Sequence, residues 1–268
     1  MNAPDMGERR MAARVIAVVG AARGAGRSTV ALNVAAAAVK HGRRVCLLDA
    51  SHAQREHATL LDVAAGRARF SDALDAGPDG IEWLSLAPAD RRAPEGVSDA
   101  SLLANVDALE SRYDLVLVDA PGLAQPRGAF FAGAATDVVL VATGEEQGLR
   151  QAETLVRTLG ARCGRHELLL VPNACRDAAE ATAIARTLGA LAARPPHVRV
   201  QPVGWIPSDP SIARVRRARR SLMAALPEAP AARAFEALAF RLMSLAPARP
   251  TGAAQFFFQS LIAQGRAA

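Results

Sequence analysis

The residues that could do chemistry begin with a glycine-rich stretch near the N-terminus. Residues 20–28 hold three glycines and two arginines, and they end in the hydroxyl of Ser28. A short apolar run precedes this stretch at residues 15–19, and a long run rich in alanine, valine and leucine follows it at residues 28–39. This order predicts a strand, a glycine turn and a helix. Backbone N–H groups at such a turn, together with the helix N-terminus, bind phosphate.

The glycine-rich stretch departs from the usual phosphate-loop pattern G-x-x-x-x-G-K-[ST]. Ala21 stands at the first glycine, unless Gly20 takes that role, and Arg27 replaces the lysine that reaches the terminal phosphates. Gly26 keeps the tight turn, and Ser28 keeps the hydroxyl that binds Mg²⁺. Arginine is larger than lysine and binds phosphate through a planar fork. We expect phosphate binding to survive where hydrolysis does not. A glycine turn without a ligand is the alternative.

Three polar residues further along the chain each follow an apolar run. Asp49 ends the run RVCLLD, Asp119 ends LVLVD and Asn173 follows LLLVP. The carboxyl ends of parallel strands lie at one edge of a sheet, where ligands bind. Taken singly, each residue could merely end a strand or cap a turn. Their positions at successive strand ends favour one shared site beside the glycine turn.

The elements that must position these residues alternate along the chain. Strands are predicted over residues 15–19, 44–49, 81–86, 115–119, 138–142, 168–171 and 198–203. Helices are predicted over residues 28–39, 102–111, 149–159, 178–192, 210–218 and 231–245. Apolar strands that alternate with amphipathic helices indicate an α/β fold, a doubly wound and mostly parallel sheet with helices on both faces.

Composition bounds the domain organisation and the location of the protein. The chain has 268 residues with 51% hydrophobic content, which is enough for one α/β domain. We expect a polar leader at 1–14, the domain at 15–246, a Pro/Gly tether at 247–252 and an amphipathic helix at 253–268. No apolar run is long enough to span a membrane, and the leader lacks a signal-type apolar core. These features predict a cytoplasmic protein.

Cysteine usage and charge exclude some functions and weaken others. The three cysteines are odd in number and lack metal-ligand spacing, so neither a disulfide framework nor a zinc site is indicated. The formal net charge is +6, but Lys40 is the only lysine and alanine is abundant. Such an arginine bias is typical of genome-wide coding preference and makes the charge a poor indicator of nucleic-acid binding.

Taken together, the motifs resemble the MinD/ParA family of deviant-Walker-A ATPases, whose members share a P-loop NTPase fold, from about residue 15 to residue 243. The family pattern K-G-G-x-G-K-[ST] falls on residues 22–28, so Ala22 stands at the signature lysine. The segment YDLVLVDAPG is similar to the family's Walker B region. The run IPSDPSIARVRRARRSLMAALPEAPAARAFEALAFRL resembles the branch of MinD-like regulators of flagellar number and placement.

The resemblance implies a site for ATP or ADP with Mg²⁺. Its nucleotide-binding residues would be Gly24, Ala25, Gly26, Arg27, Ser28, Thr29, Asn173 and Pro207. Mg²⁺ would be held by Ser28 and, through water, by Asp119, while Asn173 would read the adenine edge. Arg27 and Asp49 are the candidates for a catalytic role. Ser51 replaces the aspartate that positions the attacking water, which predicts weak or defective hydrolysis.

The resemblance also implies partners. It suggests a nucleotide-dependent homodimer, contacts with flagellar assembly proteins such as an SRP-type GTPase, and peripheral binding at the inner membrane through residues 253–263. In that segment Phe257, Phe258, Leu261 and Ile262 share one helical stripe, which could instead pack on the protein itself. An arginine cluster at residues 214–220 is a solvated face or a contact for acidic lipid, a partner or, less favoured, non-specific DNA.

Three hypotheses about function therefore stand side by side. The first is a MinD-like regulator of flagellar assembly or placement that binds adenine nucleotide and hydrolyses it weakly or not at all. The second is a working ATPase in which an arginine supplies the transition-state charge. The third is a nucleotide-free scaffold in pilus, cellulose-secretion or partition machinery.

Overall fold

Eight strands form one sheet in the part of the chain that the structure, a computed structural model, describes. The described residues are 13–50, 58–87, 97–98, 101–102, 105, 109, 111–122, 128–194, 197–217 and 220–246. The strands are β1 Arg14–Gly20, β2 Val45–Asp49, β3 Leu74–Ala76, β4 Glu82–Ser85, β5 Leu115–Asp119, β6 Asp137–Ala142, β7 Glu167–Pro172 and β8 Arg199–Pro202. Their order is β3-β4-β2-β5-β1-β6-β7-β8, and every neighbouring pair is parallel except β3 with β4.

Helices cover both faces of this sheet. The described helices are α1 Arg27–Lys40, α2 Leu60–Ala64, α3 Phe70–Ala73, α4 Gly128–Ala134, α5 Glu146–Cys163, α6 Ala178–Ala192, α7 Pro210–Arg217, α8 Leu222–Ala225 and α9 Pro230–Ser244. One core cluster joins the sheet to α2, α4, α5 and α6, and the other joins it to α1, α8 and α9. The doubly wound α/β fold predicted from the sequence is therefore confirmed.

The predicted elements agree with the structure to different degrees. The strand predicted at 115–119 and the helix predicted at 178–192 match β5 and α6 to the residue. The short β3, α2, α3, α4 and α8 were not predicted, because segments of three to seven residues carry too little periodicity to be recognised. The predicted leader and tether, the C-terminal amphipathic helix and most of the 102–111 helix lie outside the described residues. No helix within the described ranges is both long and apolar enough to cross a membrane.

A buried arginine completes the end of α4. Arg165 is only 2% exposed, and its guanidinium donates to the carbonyl oxygens of Ala132 at 2.8 Å, Gly133 at 3.1 Å and Thr136 at 3.3 Å. It also donates to the carbonyl oxygen of Ala135. The last carbonyls of a helix have no partner within the helix, and they carry the negative end of its dipole. The guanidinium of Arg165 supplies both the missing donors and a positive charge at that end of α4.

Helix α9 is held on α1 by an ion pair at the surface. Lys40 at the end of α1 places its Nζ 2.9 Å from Oε1 of Glu236, and His41 lies 3.3 Å from the same oxygen. The hydrogen bond from Lys40 lowers the pKa of Glu236. This contact lies beside the apolar packing of the two helices and supplements it.

Candidate functional site

The glycine turn lies between β1 and α1 and leaves the helix N-terminus open. Gly24 has a φ of 86° and Gly26 a φ of 94°, both in the left-handed region that favours glycine. Gly26 is the N-cap of α1 and has no side chain to accept from the first-turn N–H groups. No acidic residue lies in that first turn. Unpaired N–H groups at the positive end of a helix are suited to an anion.

Asn173, at the end of β7, makes a hydrogen bond to the glycine turn. Its Nδ2 donates to the carbonyl oxygen of Ala25 at 2.7 Å. A Cβ on Gly26 would lie 2.1 Å from that same Nδ2, so only glycine fits there. The structure therefore brings Asn173 to the phosphate loop, where one N–H of its amide is already in use. Its predicted role at the adenine edge stays a prediction.

Arg27 forms an ion pair with Asp119. The Nε–H group of Arg27, the first residue of α1, donates to Oδ1 of Asp119 at the end of β5. Their side chains are 19% and 6% exposed, so this charged hydrogen bond is largely shielded from water. The residue expected to reach phosphate is thus in contact with the carboxylate expected to hold Mg²⁺.

Asp49 and Asp119 are direct neighbours across β2 and β5. The register of the two parallel strands pairs the one with the other, so their side chains leave the same face. The backbone N–H of Ala50 donates to the carbonyl of Asp119 at 3.2 Å, which extends the pairing beyond the strand ends. Two carboxylates side by side repel each other unless a cation compensates, and the guanidinium of Arg27 supplies one positive charge.

A cavity of about 170 Å³ lies beside the start of α1. It is lined by Ser28, Thr29, Leu32, Asn33, Leu47, Asp49, Trp83, Asp119, Ile212, Val215, Arg220 and Leu222. The structure thus brings the predicted residues Ser28, Thr29, Asp49 and Asp119 to one place, on the side of the loop away from Asn173. Ser51 lies outside the described residues.

Sequence reasoning missed Asn33, which links the loop to the C-terminal part of the domain. Its Nδ2 donates to the carbonyl of Thr29 at 2.8 Å, and its Oδ1 accepts from the N–H of Leu222 at 2.7 Å. Asn33 is 3% exposed. The available signal was a single amide within an alanine-rich helix, one turn after Thr29. Arg220, two residues before Leu222, is exposed and lines the cavity.

Pro207 lies in the loop beside the one that carries Asn173. The N–H of Cys175 donates to the carbonyl of Ile206 at 3.1 Å, and the N–H of Ser208 donates to the carbonyl of Cys175 at 2.8 Å. These bonds join the two loops on either side of Pro207. The residues predicted for the base therefore form one group, and those predicted for phosphate and metal form another, with Ala25 and Gly26 between them.

Comparison with known proteins agrees with this geometry. The family model described as ATPase MipZ matches residues 14–142. The antiactivator FleN of Pseudomonas aeruginosa is 29% identical over 261 residues, covering 93% of this chain and 93% of FleN. Among solved structures, MinD of Aquifex aeolicus has a TM-score of 0.71 at 21% identity, over 87% of this chain and 98% of that one. MinD of Pyrococcus horikoshii, solved with Mg-ADP, has a TM-score of 0.66 at 21% identity, over 86% and 96%.

Proposed function

We propose that the chain, which is similar to proteins of the MinD/ParA family, binds adenine nucleotide and acts as a MinD-like regulator of flagellar assembly or placement. The observation that supports nucleotide binding best is the open N-terminus of α1 at the glycine turn. The first-turn N–H groups would receive the phosphates. Arg27 supplies a positive charge beside them.

Weak or defective hydrolysis is the second part of the proposal. Phosphoryl transfer depends on positioning and on charge aimed at the transferring group. Here Ala22 stands at the family's signature lysine, and Ser51 stands at the aspartate that positions water. The pairing of Arg27 with Asp119 adds to these replacements, because it engages both side chains with each other. Catalytic groups that act as a unit lose most of their effect when any one of them is missing. Restoring one of these residues is therefore not expected to restore turnover.

The flagellar role is supported by the similarity to FleN, which extends over most of both chains. By the same reasoning we propose flagellar assembly proteins as partners, a homodimer that forms with nucleotide, and a peripheral membrane contact through residues 253–263. Deleting the gene should change the number or placement of flagella in the organism that encodes it. Unchanged flagella would contradict this part and favour pilus, cellulose-secretion or partition machinery.

Calorimetric titration with ATP and ADP tests the binding proposal. We expect micromolar binding to the intact chain and loss of that binding in Arg27→Ala. Arg150→Ala is the matched control, because it removes one arginine charge from an exposed pair on α5. Its binding should equal that of the intact chain. Absence of heat at millimolar nucleotide would contradict the proposal and favour a scaffold.

A turnover assay separates the regulator from a working ATPase. We expect phosphate release at or near the rate of the nucleotide alone. Mg²⁺-dependent turnover that Asp119→Ala abolishes would contradict weak hydrolysis. It would assign the transition-state charge to an arginine of the loop instead.

A further inference from the structure

The guanidinium of Arg27 lies beside Asp119, where the resemblance places Mg²⁺. Ser28 and Asp119 line one cavity, as the Mg²⁺ site implied by the resemblance requires. However, Asp119 is only 4% exposed, and Oδ1 accepts from the guanidinium of Arg27. A metal-bound water would have to share that carboxylate with the guanidinium, and a divalent ion beside a guanidinium is repelled by it. With Arg27 in this position, the donor set does not fit Mg²⁺.

Arg27 retains side-chain donors for a second partner. Among the described residues, Nε is the one side-chain nitrogen of Arg27 that donates a hydrogen bond, and the two terminal nitrogens donate none to them. A guanidinium can donate from two edges of its plane and binds phosphate oxygens in pairs. The compact ammonium of a lysine has no such second edge. Arg27 can therefore hold Asp119 and a phosphate at the same time.

The balance of charge around the loop supports an anion without added metal. Asp49 and Asp119 contribute two negative charges at the strand ends. Arg27 pairs with one of them, Arg23 lies exposed within the loop, and Arg220 lines the adjoining cavity. These three guanidinium groups of the described residues, together with the positive end of the α1 dipole, favour an anion at the loop.

We propose that this site binds the phosphates of ATP or ADP without a divalent cation, and that the guanidinium of Arg27 bridges Asp119 and phosphate in the place of Mg²⁺. The proposal rests on the nucleotide binding proposed above and specifies its cation requirement. It also explains why arginine and not lysine occupies the position, since only the planar fork serves both partners.

The test is calorimetric titration of the full chain with ATP and with ADP, in excess EDTA and again in excess MgCl₂. We expect dissociation constants that agree within about threefold between the two conditions. Binding that is about tenfold or more tighter in MgCl₂, or that is seen only there, would overturn the proposal. No binding in either condition would refute the proposed nucleotide function and this inference with it, so the two failures are distinguishable.

Two variants make the same test sharper. Arg27→Lys should restore the requirement for metal, with binding about tenfold weaker in EDTA than in MgCl₂, because a compact ammonium lacks the planar fork that reaches Asp119 and phosphate from two edges. Asp119→Asn keeps the size of the side chain and removes its charge, so it should bind nucleotide in EDTA at least as tightly as the intact chain. If Asp119→Asn binds nucleotide more weakly than the intact chain in MgCl₂ but not in EDTA, Asp119 is a metal ligand and the proposal is wrong. Circular dichroism melting curves verify that both variants are folded.

Discussion

The side-chain amide nitrogen of Asn173 lies 2.7 Å from the carbonyl oxygen of Ala25, although 148 residues separate the two in the chain. This bond joins the end of β7 to the loop between β1 and α1. The loop is therefore held in its left-handed turn by a side chain from a neighbouring part of the sheet edge. A loop that is ordered before its ligand arrives loses less entropy on binding.

Replacing Asn173 should loosen the loop without unfolding the domain. We expect Asn173→Ala to weaken nucleotide binding about tenfold, which corresponds to the loss of one hydrogen bond of about 1–1.5 kcal/mol. Limited trypsin digestion should cut faster after Arg23, which is exposed within the loop. Asn173→Asp is the informative companion, because it keeps the shape but replaces the donor with an acceptor that repels the carbonyl. Equal cleavage rates in all three proteins would contradict a clamp.

Gly26 and Asn173 should be coupled in a double-mutant cycle. Gly26→Ala combines a strained positive φ with a Cβ that would lie 2.1 Å from Nδ2 of Asn173. We expect it to lower the free energy of unfolding by about 2–4 kcal/mol. In the Asn173→Ala background only the backbone cost of about 1–2 kcal/mol should remain. Urea denaturation of the four proteins measures the coupling, and strict additivity would show that the two residues do not meet.

Asp209 should make stability depend on pH. Burial acts to raise the pKa of its carboxyl, but hydrogen bonds from Ser211 at 2.9 Å and Ala231 at 3.3 Å outweigh burial and lower the pKa. A lowered pKa means that the contribution is fully present above about pH 4 and is lost as the pH falls through the folded-state pKa. Asp209→Ala should cost about 1–2 kcal/mol at pH 7 and progressively less in acid. Urea denaturation at several pH values checks this, and a cost that is independent of pH would contradict it.

Arg165 should be among the most costly residues to remove. Arg165→Met would leave the carbonyls at the end of α4 without their donor, and we expect a loss of about 3 kcal/mol or more. Arg162→Met changes an exposed residue in the last turn of α5 and should cost less than about 1 kcal/mol. Thermal melting of the two variants compares them directly. Similar melting temperatures would mean that the buried guanidinium contributes little net stability.

The three thiols should react at different rates. Burial raises the pKa of Cys46 and raises that of Cys175 to about 11, so neither forms much thiolate near neutral pH. Cys163 is only half-buried. At pH 8 we expect one thiol to react with Ellman's reagent in the native protein and all three after denaturation. A Cys163→Ser variant should lose the fast reaction, and its persistence would place the reactive thiol elsewhere.

The predictable parts of this fold are the elements whose signal lies in a run of consecutive residues. The apolar run at 115–119 and the helical periodicity at 178–192 carried enough signal for their bounds to match β5 and α6. The predicted strand ends also indicated that Asp49, Asp119 and Asn173 lie at one edge of the sheet. In contrast, Leu222, which donates to Asn33, lies 189 residues away in the chain. The pairing of Arg27 with Asp119 likewise depends on side-chain rotamers, which no local pattern encodes.

The ion pair between Lys40 and Glu236 has a practical consequence for labelling. Lys40 is the only lysine in the sequence, and its side chain is half exposed. An amine-reactive dye would therefore attach within the chain at one position only, besides the terminal amine, and no residue would have to be engineered. Because acylation removes the positive charge of Lys40, the dye would also break the ion pair with Glu236, so its emission would report on the surface where α9 meets α1 with that contact absent.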